Sequence, residues 1–331
     1  MRAVVCRELG PPSSLEVAEV DPPEVRAGGV IVDVEAAGVN YVDALFVQGK
    51  YQIKPPLPFT PGSEVAGTVS AVGDGVKGVA VGDRVLVSCG LGGFAEQVGV
   101  AASALTSVPA ALDAARAAAF GQSYCTALFA LRDRARMQPG ETVLVLGAGG
   151  GVGLATIDVA RALGAHPIGA ASTDDKRDAA LAAGAEAVID TTTESVKDRA
   201  RELARELTSA TATGVDLVLD PVGGDLAEQG LRALGEGGRF VVIGFASGTI
   251  PALPANQVLL RNRSVVGVDW GAWAMSHGDE QRALLATLLD LVAAGSLHPA
   301  APTAYPLERV GDALDDLLGR RVVGKVVLTT A

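Results

Sequence analysis

The chain lacks the residues from which most metal and disulfide chemistry is built. Its three cysteines, Cys6, Cys89 and Cys125, are dispersed over 331 residues. That odd number at those spacings gives neither a disulfide framework nor a C-x-x-C knuckle. Its three histidines, His166, His277 and His298, form no H-x-x-x-H pair and none neighbours a cysteine in sequence, so no metal site is expected. No apolar run approaches the roughly 18 residues of a membrane helix. The opening MRAVVCRELGPP holds too short an apolar stretch for a secretory signal. A cytoplasmic protein without membrane contact is expected. Positive charge is scarce too: 27 Lys and Arg stand against 38 Asp and Glu, a net charge of −11. Such a field repels polyanions, so nucleic acid is not an expected partner.

What is present is globular in composition, 49% hydrophobic and 20% charged, in a chain long enough for two domains. From residue 1 to about 120, short Val- and Ile-rich runs such as GGVIVDVEAAGV, EVAGTVSAVG and DRVLVS alternate with Gly, Pro and Asp, as strands of a barrel do. Four prolines in KPPLPFTPG predict a rigid extended loop. Between about Leu112 and Ile250 the runs TVLVLG, HPIGAA, EAVID, VDLVLD and GRFVVIG alternate with Ala-rich helical segments, which predicts βαβ units on a parallel sheet. One amphipathic helix, DEQRALLATLLDLVAAG, and a closing strand, GKVVLTT, are expected to rejoin the first domain.

The stretch TVLVLGAGGGVGLATIDVA is an apolar strand, a glycine cluster and a helix, the setting of a dinucleotide-binding turn. Gly147, Gly150 and Gly153 fall at G-x-x-G-x-x-G spacing. Glycine there permits a sharp turn, close approach of a pyrophosphate, and packing of helix on strand. The helix start at Gly151, Val152 and Gly153 would offer N–H groups to the phosphates. The second strand ends GAASTDDKR, without an acid where one would bond the adenine ribose of NAD. Ser172 or Thr173 is expected to cap the next helix. Lys176 and Arg177 are cations that could meet a 2′-phosphate, although an ordinary solvated helix face would hold them equally well. NADPH is favoured over NADH.

The residues resemble a known family, the zinc-independent, zeta-crystallin-like quinone oxidoreductases of the medium-chain dehydrogenase/reductase superfamily. The resemblance is carried by AAGVNYVDAL (36–45), PFTPGSEVAGTVSAVGDGV (58–76), GDRV (82–85), the glycine turn, DPVGG (220–224), GGRFVVIG (237–244), YPLERVGDAL and GKVVL. It implies an α/β protein: a GroES-like β-barrel catalytic domain made of 1–120 and 262–331, and a Rossmann cofactor domain of 121–261, with the active site in the cleft between them. It implies a homodimer through an edge strand at 264–270. In zinc-dependent relatives, metal ligands stand at places that match Asn40 and Ser63, neither a credible zinc ligand. Asn40, Asp43 and Tyr51 match substrate-cleft positions. Thr126, Gly244, Phe245 and Lys325 match positions near the nicotinamide or its phosphates. Leu45 and Thr191 stand where some members carry tyrosines.

With those ligands replaced, reduction of an electron-poor acceptor is favoured over alcohol oxidation, which would lose its Lewis acid. Asn40 and Tyr51 would donate hydrogen bonds to the acceptor oxygen, Tyr51 or solvent would supply a proton, and Asp43 would orient a neighbour. Trp270 and Trp273 could wall an aromatic substrate. The reading is an NADPH:quinone reductase. The alternatives are a reductase of enones or enoyl thioesters and a protein that holds NADPH without turnover.

Overall fold

The computed structural model of the chain describes residues 1–330. They fall into two compact units, residues 1–122 with 301–330 and residues 123–300.

Nine strands build the first unit: β1 (Arg2–Val5), β2 (Glu16–Glu19), β3 (Gly29–Val39), β4 (Glu64–Val72), β5 (Arg84–Ser88), β6 (Gln97–Ala101), β7 (Leu105–Ser107), β14 (Thr303–Pro306) and β15 (Val326–Thr329). The main sheet runs β14-β15-β3-β4-β5-β7, with β6 also pairing β3. In β3 the alternation of GVIVDVE buries Val30, Val32 and Val34 and leaves Asp33 and Glu35 in water. The inward set meets Val65, Val69, Val85, Val87 and Phe94 in one core. Each such side chain contributes about 1.5–3 kcal/mol by leaving water. The closing strand joins this unit as expected, with Val326 opposite Val39 in β3.

Six parallel strands form the second unit: β8 (Thr142–Leu146), β9 (His166–Ala171), β10 (Ala187–Asp190), β11 (Val215–Asp220), β12 (Leu234–Val242) and β13 (Ser264–Gly267). Their order, β10-β9-β8-β11-β12-β13, is the doubly wound dinucleotide arrangement, whose strand order reverses between β8 and β11. Every residue of β8 is buried, as expected of a central strand covered on both faces. Leu203 and Leu231, on helices Val196–Leu207 and Asp225–Ala233, pack with Leu144, Ile168, Ile189 and Phe240 of the sheet.

Two sequence expectations change here. Residues 262–300 belong to the second unit, so the boundaries lie after residues 122 and 300 rather than after 120 and 261. The reason is polar as well as apolar: β13 pairs with β12, Gln281 Nε2 donates to Cys125 Sγ at 3.4 Å, Arg161 Nη2 to Ser296 O at 2.7 Å, and His298 N to Asp158 Oδ2 at 2.8 Å. The apolar face of DEQRALLATLLDLVAAG calls for a core without saying which one. The predicted edge strand 264–270 is also shorter. It ends at Gly267, and Asp269 caps a helix over Trp270–Ser276 through its bond from Ala272 N.

Asp158 is the polar centre of the second unit. It is buried, accepts from Tyr124 Oη at 2.9 Å and from His298 N at 2.8 Å, and pairs with Arg161 at 2.7 Å. Burial and the neighbouring carboxylate push the Tyr124 phenol well above its ordinary range. Removing the acid takes an acceptor from Tyr124 Oη and from His298 N and the counter-charge from Arg161. Asp158→Ala is expected to lose about 3–5 kcal/mol of unfolding free energy, and Tyr124→Phe about 1.5–3 kcal/mol, in urea titration. A loss below 1 kcal/mol for Asp158→Ala would show that the network is not structural.

Candidate functional site

The second unit places its glycine turn at the carboxyl end of β8, beside the point where strand order reverses. Gly147 has φ +63, and a Cβ there would stand 2.6 Å from Val222 Cγ2. A Cβ on Gly153 would stand 2.4 Å from Gly147 O, so the helix Gly151–Ala162 lies directly on the turn. Gly150 differs. A Cβ there would meet no protein atom closer than 3.5 Å, so the space its missing side chain leaves open faces outward. Gly150 is the helix N-cap and has no side chain to bond the first N–H groups. Those of Gly151, Val152 and Gly153 are therefore available to an anion. This cradle fits a dinucleotide pyrophosphate.

Beyond β9, Ser172 and Thr173 are exposed, and Thr173 is the N-cap of helix Asp174–Ala182, though its side chain makes no capping bond. The two cations of the DDKR run part company. Arg177 is tied down by Asp174 at 2.5 Å, Asp190 at 3.2 Å and Ala171 O at 3.2 Å. Lys176 instead lays its stem over the turn: a Cβ on Gly149 would stand 2.5 Å from both Cβ and Cγ of Lys176. Of the pair, Lys176 is the residue beside the glycine turn.

The DPVGG run forms the neighbouring wall. Asp220 Oδ1 accepts from the N–H groups of Val222 and Gly223, both at 2.8 Å, which folds the loop back beside Gly147. Its Oδ2 is buried without a partner, and burial raises its pKa. Gly244 follows β12, with its N–H on Asp220 O at 3.3 Å, and Phe245 is 38% exposed beside Gly223. Thr126 is buried within helix Gly121–Leu128.

In the first unit, β3 ends at Val39 and Asn40 caps helix Tyr41–Val47. Asp43 completes a capping box, its Oδ2 accepting from Asn40 N at 2.8 Å. The Asn40 side chain is held from two sides. Lys325 Nζ donates to Oδ1 at 2.5 Å, and Nδ2 donates to Glu64 Oε1 at 3.0 Å. An ammonium only donates and a carboxylate only accepts, so the amide has one orientation. Lys325 also pairs with Glu64 at 3.0 Å, and Glu64 Oε2 accepts from Gln122 N at 2.9 Å. Asn40 and Glu64 are 7% and 4% exposed. Asp43 is fully buried, with Oδ1 unbonded, and burial pushes its pKa up to about 7 against the pull of Asn40 N–H and Lys325. Cys89 is driven up to about 12 by burial and by Asp43, so it is an inert thiol.

Of the predicted cleft residues, Asn40 and Asp43 come together and Tyr51 stands apart from their bonds, its ring edge-on to Phe46 at 4.8 Å. Lys325, expected near the cofactor, is bound into the Asn40 cluster. Trp273 stacks on Phe129 at 4.5 Å and on His277 at 5.3 Å, and Trp270 Nε1 donates to Gln281 at 2.7 Å. Glu64 was missed. Its signal was an acid opening an otherwise apolar strand, EVAGTV, where a buried charge demands a partner. Among the described residues, no group of three or more His, Cys, Asp or Glu is arranged around a metal.

Two family descriptions match: an alcohol dehydrogenase GroES-like domain over residues 26–110 and a zinc-binding dehydrogenase over 151–290. Quinone oxidoreductase-like protein 2 of Bos taurus is 40% identical over 99% of this chain and 92% of its own length. Among solved structures, the Escherichia coli quinone oxidoreductase complexed with NADPH is 30% identical, with TM-score 0.87 over 99% of this chain and 100% of that one. An NAD-dependent alcohol dehydrogenase is 31% identical, with TM-score 0.90 over the whole of both chains. With barrel, parallel sheet and full-length likeness in agreement, the chain belongs to the zinc-independent quinone oxidoreductases of the medium-chain dehydrogenase/reductase superfamily.

Proposed function

We propose that this chain is an NADPH-dependent reductase that delivers a hydride to a quinone. The observation that carries the reading is the amide of Asn40. One Nδ2 hydrogen is committed to Glu64, while the remaining contacts of that nitrogen, to Ser63 Oγ and Gly38 O, are long at 3.5 Å. A well-oriented donor is therefore left for an acceptor oxygen. Lys325 on Oδ1 polarises the amide and strengthens that donor. As hydride reaches the quinone ring, negative charge gathers on its oxygen, and a fixed N–H stabilises it without reorganising. NADPH supplies the hydride when bound.

In this reading Gly147, Gly150, Gly151, Val152 and Gly153 hold the pyrophosphate. Ser172, Thr173 and Lys176 take the adenosine phosphate, with Thr126, Gly244 and Phe245 near the nicotinamide. The absence of an acid at the end of β9 and the placement of Lys176 over Gly149 favour NADPH over NADH. Asp43 is a positioning residue that fixes Asn40 through its backbone N–H. Tyr51, whose hydroxyl has no partner among the described residues, is the proton donor, and solvent is the alternative source. The reading includes a homodimer through the free edge of β13, supported by its single neighbouring strand and by Val265, 44% exposed. A cytoplasmic setting agrees with three unpaired thiols, and no helix among the described residues is long and apolar enough to cross a membrane.

NADPH oxidation assayed with a quinone, an enone and an enoyl thioester should be fastest with the quinone. kcat/KM should favour NADPH over NADH, and Lys176→Ala should erase about tenfold of that preference, one charge-assisted contact. Equal efficiency with both cofactors in the wild type would overturn the cofactor assignment. Asn40→Ala should lower kcat about 100-fold with little change in KM for NADPH, the usual size of one lost oxyanion donor. Glu64→Gln, which releases the amide orientation, should give a smaller loss in kcat. Tyr51→Phe leaving turnover unchanged would remove Tyr51 as proton donor.

The buried Asp43 adds a pH dependence. Its pKa rises from 3.8 to about 7 on folding, so the folded chain binds the proton more tightly. Its contribution to stability is therefore greatest near pH 4 and is lost as pH rises to about 7. Denaturant titrations should show wild-type stability falling relative to Asp43→Asn across that window and running parallel above it. A flat difference would show that Asp43 is ionised throughout.

A further inference from the structure

The amino-terminal edge of the six-stranded sheet carries a concentration of charge opposite in sign to the chain's own. Arg201 and Arg205 lie one turn apart on helix Val196–Leu207, and Arg261 and Arg263 immediately precede β13. Arg201 Nη2 donates to Arg232 O, and Arg263 Nη2 donates to the same oxygen at 3.5 Å, so one carbonyl brings two guanidiniums together. Arg263, 6% exposed, also donates to Leu234 O, to Gly235 O at 3.4 Å and to Gln257 O at 3.3 Å. Arg261 repels both: with burial it holds the Arg201 pKa down and brings that of Arg263 to about 10.

Among the described residues, none of these four arginines forms an ion pair. The nearest acid acting on Arg201 is Asp198, already engaged by Ser195 and Lys197, while Arg232 pairs with Glu228. Backbone carbonyls at the end of helix Asp225–Ala233 account for part of the cluster. They carry about half a charge between them, against four cations. Two features remain unspent. Arg201 Nε is buried without a partner, and Arg261 and Asn262 take consecutive positive φ angles of 127 and 53, a strained turn of the kind that clusters at ligand clamps.

We infer that Arg201, Arg205, Arg261 and Arg263 form a binding site for a phosphate-like dianion. The guanidinium fork matches tetrahedral oxyanions, and a dianion supplies the compensation that the chain withholds. The site is separate from the cofactor cradle. The nine residues of β12 run from Leu234, beside the arginines, to Val242, which precedes Gly244.

Inorganic phosphate titrated calorimetrically against chloride at matched ionic strength, with and without saturating NADPH, tests the assignment. NADPH-saturated wild-type protein should show one saturable phosphate site. Arg205→Ala and Arg261→Gly should each weaken it at least about tenfold while NADPH affinity is unchanged. Arg261→Gly also relieves the positive φ, so its folding is not compromised. Heat that does not saturate, affinity unaltered in both variants, phosphate binding abolished by NADPH, or a response that depends on protein concentration would each overturn the site.

Discussion

The first unit is organised around one buried carboxylate. Removing a charge from water costs several kcal/mol per ion, and Glu64 is tolerated at the start of β4 because three donors converge on it. They are Asn40 from the end of β3, Lys325 from the start of β15 and the Gln122 N–H. One side chain thus fixes three chain segments and, through them, the direction of the Asn40 amide. Gly38 belongs to the same constraint. A Cβ there would stand 2.2 Å from Ala118 O and 2.7 Å from Glu64 Oε1, so a larger residue would displace the acid. Where the resemblance sets metal ligands of zinc-dependent relatives, at Asn40 and Ser63, this chain keeps a positive charge as the ammonium of Lys325.

The second unit depends on the opposite device, the absence of side chains. Gly147 and Gly153 are required by the protein itself, because a Cβ at either would strike Val222 or Gly147 O. Gly150 has room for one. A folding constraint explains the first two, while at the third, the helix N-cap, the backbone stands open to an external group. Gly150 and the uncapped N–H groups that follow it form the part of the turn open to a cofactor phosphate.

The sequence made the second unit's strands and helices legible because buried parallel strands read as continuous apolar runs and several of its helices stop just before a glycine. The strand, turn and helix around the glycine cluster were equally legible. Glu64 escaped because a single acid among Val, Ala and Gly carries no periodic signal, and its partner Lys325 lies 261 positions away. The division of labour between Lys176 and Arg177 was equally hidden. It is decided by Asp190, on the next strand, and by the Cα position of Gly149, neither of which spacing encodes. The domain assignment of 262–300 failed for the same reason: Arg161, Asp158 and Cys125 claim that segment by contacts across more than 100 residues.

One apparent conflict in the site resolves in physical terms. A carboxylate near an oxygen that gathers negative charge would oppose the reaction, and Asp43 is bonded directly to Asn40 N. Burial answers the objection. With its pKa raised to about 7, Asp43 carries a proton for a substantial fraction of the time at neutral pH, and its field on the amide falls accordingly. Beside it, Lys325 Nζ bonds both Glu64 Oε1 and Asn40 Oδ1, so the ammonium lies on the carbonyl end of the amide. The cluster therefore presents an N–H donor with its dipole reinforced from behind and the charge of its neighbouring acid reduced.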